Sequence, residues 1–122
     1  MKAIAEEMSS EGLRAAQSVC KQVATSLSLS HRLCDPTSDE QRALGIAEPS
    51  KTHPPGGIDP EVAAADRIRE SCWLQCVLEL DTWPVLFVCG GDHPGSFRRL
   101  LETNGIVVEV LHERWKRPED WL

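Results

Sequence analysis

No stretch of this chain is apolar for the roughly 20 residues that a membrane-spanning helix needs. The opening Met-Lys-Ala-Ile-Ala-Glu-Glu also lacks the apolar core of a signal peptide. Basic charge is in short supply: Lys and Arg number 13 against 19 Asp and Glu, for a net charge of −6 and a pI of about 5.2. A nucleic-acid partner is held through phosphate contacts by a basic patch, so this balance argues against one. Arg114, Lys116 and Arg117 are locally basic but interleaved with Glu113, Glu119 and Asp120. The five cysteines (Cys20, Cys34, Cys72, Cys76, Cys89) are odd in number and contain no CxxC pair. They read as small buried residues in a reducing compartment, and the expectation is a cytoplasmic protein. Neither GxGxxG nor a P-loop is present, so a nicotinamide or ATP enzyme is unsupported. HxH and HExxH are absent too, and neither a metal nor another cofactor is expected.

What is there suits one α/β domain over 1–122, with 41% hydrophobic and 26% charged residues. Ser9 or Ser10 can cap a helix over 9–23, with Leu13, Ala16, Val19, Cys20 and Val23 as its apolar stripe; residues 1–8 extend it or fray. From Ala24 to Leu33 the polarity alternates with period two, which predicts a strand. Pro36 ends it, Thr37 or Ser38 caps a short helix, and Gly45 stops that helix. Residues 46–58, rich in Pro and Gly, read as a flexible loop. Asp59-Pro60-Glu61 opens a helix running to about Leu80. The apolar run 84–89 predicts a central parallel strand, 95–103 a helix closed by Asn104-Gly105, and the β-branched run 106–111 another strand. A tail over 113–122 carries Trp115 and Trp121. Assembled, the expectation is a small Rossmann-like three-layer αβα domain with a mainly parallel sheet of about three strands. Its open edges invite a homodimer.

Parallel α/β sheets build their sites at the carboxyl ends of the strands. Gly90 and Gly91 allow close backbone approach there, and Gly95 and Ser96 sit at a helix start that favours an anion. His93 follows the strand directly, where an imidazole can exchange protons or bind an anion, with Asp92 able to orient it. His31, Cys34 and Asp35 end the other strand, placing Asp35 on the same rim if the two strands are parallel. His31 falls on the apolar side and reads as a hydrogen-bonded core residue; Cys34 reads as packing. Arg67, Arg69 and Glu70 lie on the long helix near that rim, and an arginine there can clamp a carboxylate or phosphate.

The segment from Arg67 to Leu111 resembles the closing αβαβ portion of the pheromone-shutdown (TraB-type) and erythromycin-esterase-like group. That group carries Gly-x-x-His after a central strand, which Gly90-Gly91-Asp92-His93 fits, and an arginine-glutamate helix ahead of it, like Arg69-Glu70. The resemblance implies roles for His93 and Glu70. The leading expectation is a domain binding a small anionic ligand through Gly90, Gly91, Ser96 and Arg67 or Arg69, with His93 at its centre and Asp35 as the opposite wall. The alternatives are a hydrolase using His93 with Asp35 or Glu70, and an interaction module that dimerises through a sheet edge.

Overall fold

A computed structural model describes residues 1–11, 15–46, 60–90 and 93–111, with the side chains of 60–62 excepted. The chain divides into two compact units, Met1–Val88 and Cys89–Leu122. The first unit holds β1 (Ala3–Glu6), α1 (Val19–Ser26), β2 (Ser30–Leu33), α2 (Ser38–Ala43), α3 (Pro60–Leu80) and β3 (Val85–Val88). The three strands are parallel in the order β2-β1-β3, so β1 is the middle strand and, among the described residues, the other two pair only with it. Ala3 stands opposite Ser30 and Val85, and Glu6 opposite Leu33 and Val88.

The middle strand corrects the reading of residues 1–8 as a helical extension. Ala-Ile-Ala-Glu is a poor strand by propensity, and the pairing that holds it comes from residues far along the chain. All four of its residues are buried. The helix expected over 9–23 is also displaced. Residues 15 and 16 are helical, the chain breaks at Gln17 and Ser18, and α1 then starts on a cap in which Ser18 Oγ accepts the Lys21 N–H at 3.1 Å. Residues 12–14 lie outside the described residues.

The strand expected from Ala24 begins only at Ser30, because α1 runs through Ser26. Its end is a Schellman motif: Leu29 N–H donates to Ala24 O at 2.8 Å and Ser28 N–H to Thr25 O at 3.2 Å. Ser28 takes the left-handed conformation, φ 55°, that glycine usually fills there. The same motif closes α2, with Gly45 at φ 80° and Ile46 N–H on Gln41 O at 2.9 Å. The Thr37 start is a full capping box with Glu40, as the sequence anticipates.

Paired residues of parallel strands project to one face. Ile4, Glu6 and His31 share a face, and Glu6 is met there by Ser18, the cap of α1. Ala5, Arg32 and Phe87 share the other. There Phe87 meets Trp73 of α3 with ring centroids 5.5 Å apart, and Arg32 pairs with Glu79 of α3 at 2.7 Å. Alanine at positions 3 and 5 keeps the middle of that face low, which lets a helix bearing tryptophan approach. The core of this unit is Ala3, Ile4, Ala5, Ala24, Cys34, Ile46, Trp73 and Val77.

In the second unit, α4 (Pro94–Thr103) carries His93 at its N-cap and buries Phe97 and Leu101. It closes on Gly105, φ 79°, with Ile106 N–H on Leu101 O at 3.1 Å, as Asn104-Gly105 anticipates. The run 106–110 is not paired as a strand. The expected βαβ unit over 84–111 therefore reduces to β3 and α4, and the third strand of the sheet is β1. Among the described residues no helix is long and apolar enough to cross a membrane.

Candidate functional site

Because the strands are parallel, their carboxyl ends share one rim, and that rim is charged. Arg69 of α3 organises it. Its guanidinium donates side-on to Asp35, Nε to Oδ1 at 2.9 Å and Nη2 to Oδ2 at 3.1 Å. Nη2 also donates to Glu7, the residue after β1, and Nη1 to Asp66 at 3.4 Å. The Trp73 indole N–H donates to Asp35 Oδ1 at 2.9 Å, and the Arg69 guanidinium carbon lies 5.4 Å from the Trp73 ring centroid. Burial alone pulls the Arg69 pKa down; the hydrogen bond and charge of Asp35, with those of Glu7, outweigh it and the net direction is up. One arginine thus ties the end of β1, the end of β2 and the face of α3. Three carboxylates, those of Glu7, Asp35 and Asp66, share this one guanidinium.

A second group lies on the other face of the sheet. Glu6 Oε2 accepts from Ser18 Oγ at 2.6 Å and lies 2.5 Å from His31 Nε2. An ionised Glu6 accepts from an Nε2–H of the imidazole. Serine and histidine meet on the same carboxylate oxygen, with glutamate in the middle. That order leaves the serine hydroxyl bound to the acid and not to the imidazole, so it is not a nucleophile activated by histidine. The same carboxylate stands at the N-terminus of α1, the seat where α/β proteins hold phosphate. Glu11 does likewise for the first turn of α2, accepting from Ser38 N–H at 2.5 Å and Ser38 Oγ at 3.1 Å.

The sequence-derived residues divide between the units. Asp35 and Arg69 meet in the first. Both Asp35 oxygens are occupied by Arg69 and Trp73, which makes it a positioning group. Arg69, expected open to an anion, is instead engaged by carboxylates, because Glu7 arrives from a strand the sequence did not disclose. Arg67 is 58% exposed and donates to Glu70 at 3.1 Å, while the Glu70 side chain is 1% exposed. Gly90, His93 and Ser96 belong to the second unit. His93 is 6% exposed, its N–H donates to Gly90 O at 3.2 Å, and Ser96 Oγ donates to His93 O at 3.3 Å. Gly91 and Asp92 lie outside the described residues, as do most of the Pro/Gly loop and the tail with Trp115 and Trp121.

Cys34 is buried, as the packing reading expects, whereas Cys20, Cys72, Cys76 and Cys89 are half-buried. All five are free thiols. Burial, with the neighbouring Cys76, pushes the Cys34 pKa up to about 12, so its thiol is a poor nucleophile. Burial likewise raises Cys20 and Cys72.

Sequence reasoning missed Glu6, Glu7, Ser18, Asp66 and Trp73. The one available signal was the acidic pair that ends the apolar Ala3-Ile4-Ala5 triplet. No group of three or more His, Cys, Asp or Glu among the described residues is arranged to hold a metal ion. Comparison with protein-family models, with curated proteins and with solved structures finds no match.

Proposed function

We propose that this chain is a small-molecule-binding α/β domain whose site is the carboxyl-end rim of its parallel sheet. The observation that carries the reading is the Arg69 group, which joins Glu7, Asp35 and Asp66 at the ends of two strands and on α3. A partly buried charged network costs stability against an apolar one, so its place where α/β folds bind ligands favours use over architecture. The groups that would hold an anion are engaged: Arg69 by carboxylates, and the N-termini of α1 and α2 by Glu6 and Glu11. This weighs against the anion expected from the sequence and for a ligand that brings hydrogen-bond donors or positive charge.

The experiment is a thermal-shift screen with matched panels of amines, polyols, carboxylates and phosphates. Stabilisation by a donor-rich or cationic compound, lost in Glu7→Gln, is the expected result. Stabilisation by anions alone, or by nothing, overturns it.

The architecture fits a small Rossmann-like three-layer arrangement, supported by the contacts of Glu6 with the α1 cap and of Phe87 with α3 on opposite faces of the sheet.

A further inference from the structure

We infer that Cys76 is a site of oxidation by hydroperoxides and that Cys34 then joins it in a reversible disulfide, a staple between the end of β2 and α3. Cys34 follows the last residue of β2, Cys76 lies on α3, and both belong to the first unit. The Cys76 thiol sits 3.8 Å from the carbonyl oxygen of Cys34. The two thiols are themselves neighbours, near enough for charge and hydrogen bonding to pass between them. A disulfide forms only where the backbone already brings its two cysteines together. Here the packing of α3 on the sheet does so across 42 positions of chain.

The two thiols differ in access, for Cys76 is half-buried and Cys34 buried. Arg32, held by Glu79 at 2.7 Å, is a positive charge that reaches both. A nearby cation favours the thiolate that attacks an oxidant. Burial, Cys76 and the acids Asp35 and Glu40 raise the pKa of Cys72, one turn earlier on α3, and hold it as a thiol. Cys76 is the sulfur that reacts first. It takes one oxygen from the hydroperoxide, whose O–O bond breaks to release an alcohol, or water from hydrogen peroxide, and it becomes a sulfenic acid. Cys34 is a poor nucleophile towards a free oxidant, but the oxidised sulfur is held beside it. The S–S bond forms, the S–O bond of Cys76 breaks, and the Cys34 proton leaves with that oxygen as water. The two sulfurs give up two electrons in all, and the hydroperoxide receives them. The bridge closes next to Asp35, so it ties the same two elements that Arg69 and Trp73 tie through that carboxylate. The inference is independent of what the rim binds.

Treating the reduced full chain with hydrogen peroxide, alkylating the remaining thiols and mapping the digest by mass, with and without dithiothreitol, decides it. The expected result is a chain lighter by two hydrogen atoms and a linked Cys34–Cys76 peptide that the reductant releases. In Cys34→Ser, Cys76 should stop at the sulfenic acid, which dimedone captures; in Cys76→Ser, Cys34 should stay a thiol. A link from Cys72 to Cys76, a link between chains, or oxidation with no link overturns the proposal. So does a chain whose Cys34 and Cys76 both remain thiols, or dimedone capture at Cys34 in Cys76→Ser. The peptide map of the unaltered chain decides the pairing even where a variant fails to fold.

Discussion

Arg69 joins three carboxylates on the rim, and its removal takes a partner from each of them. Arg69→Met is expected to cost about 2–4 kcal/mol in urea unfolding, somewhat below a fully buried pair because the side chain is 21% exposed. Trp73→Phe keeps the ring against Phe87 and loses only the donor to Asp35, for a cost of about 1–2 kcal/mol. Equal losses in the two variants would count against Arg69 as the organiser. Cys34 sets a pH dependence. Its folded pKa, about 12, lies above the ordinary 9.0, so the protonated thiol is the form the fold prefers. Its contribution is fully present below pH 9 and declines as pH rises towards 12. Urea midpoints between these limits should fall with pH, and Cys34→Ala should flatten that fall. At this scale the sequence disclosed Asp35, Arg69 and Glu70 as polar groups set among apolar ones. It hid Glu7 and Asp66, since a carboxylate's partner is chosen by tertiary placement and leaves no local pattern.

Helix ends show why some elements were legible and others were not. Gly45 and Gly105 announce their left-handed caps in the sequence; Ser28 adopts the same geometry without announcing it. The polarity alternation from Thr25 to Leu33 then runs unbroken across a helix end and imitates one long strand. Ser28→Gly is expected to stabilise the protein by about 0.5–1 kcal/mol, read as a rise in Tm, because glycine meets no steric penalty at φ 55°. A fall in Tm would mean that Ser28 is held by more than its backbone. The long helix α3 was legible at both ends from Pro60 and from the apolar run after it. β1 was not, for a strand of two alanines, one isoleucine and one glutamate is specified by its neighbours. Deleting residues 1–6 removes the strand that β2 and β3 share. Far-UV circular dichroism of that truncation should show the whole sheet lost; retention of native strand signal would mean that β2 and β3 can pair directly.

Across the whole molecule, exposed ion pairs contribute little to this balance. Arg42 with Asp39, Arg98 with Glu102 and Arg32 with Glu79 lie at the surface, where water and salt screen such pairs. The long-range arrangement of the first unit matters more. Its sheet contains no hairpin, and the partners Ala3 and Val85 stand at opposite ends of the unit. Such topology places loop closure ahead of any reward from pairing. For a polypeptide leaving the ribosome, β1 is complete long before either of its seats exists, and the second is not finished until Val88 has emerged. A waiting segment of valines and isoleucines would be a hazard for other nascent chains. Alanines followed by a pair of glutamates are not, so the weak strand propensity that hides β1 from a reader of the sequence also keeps it harmless while it waits.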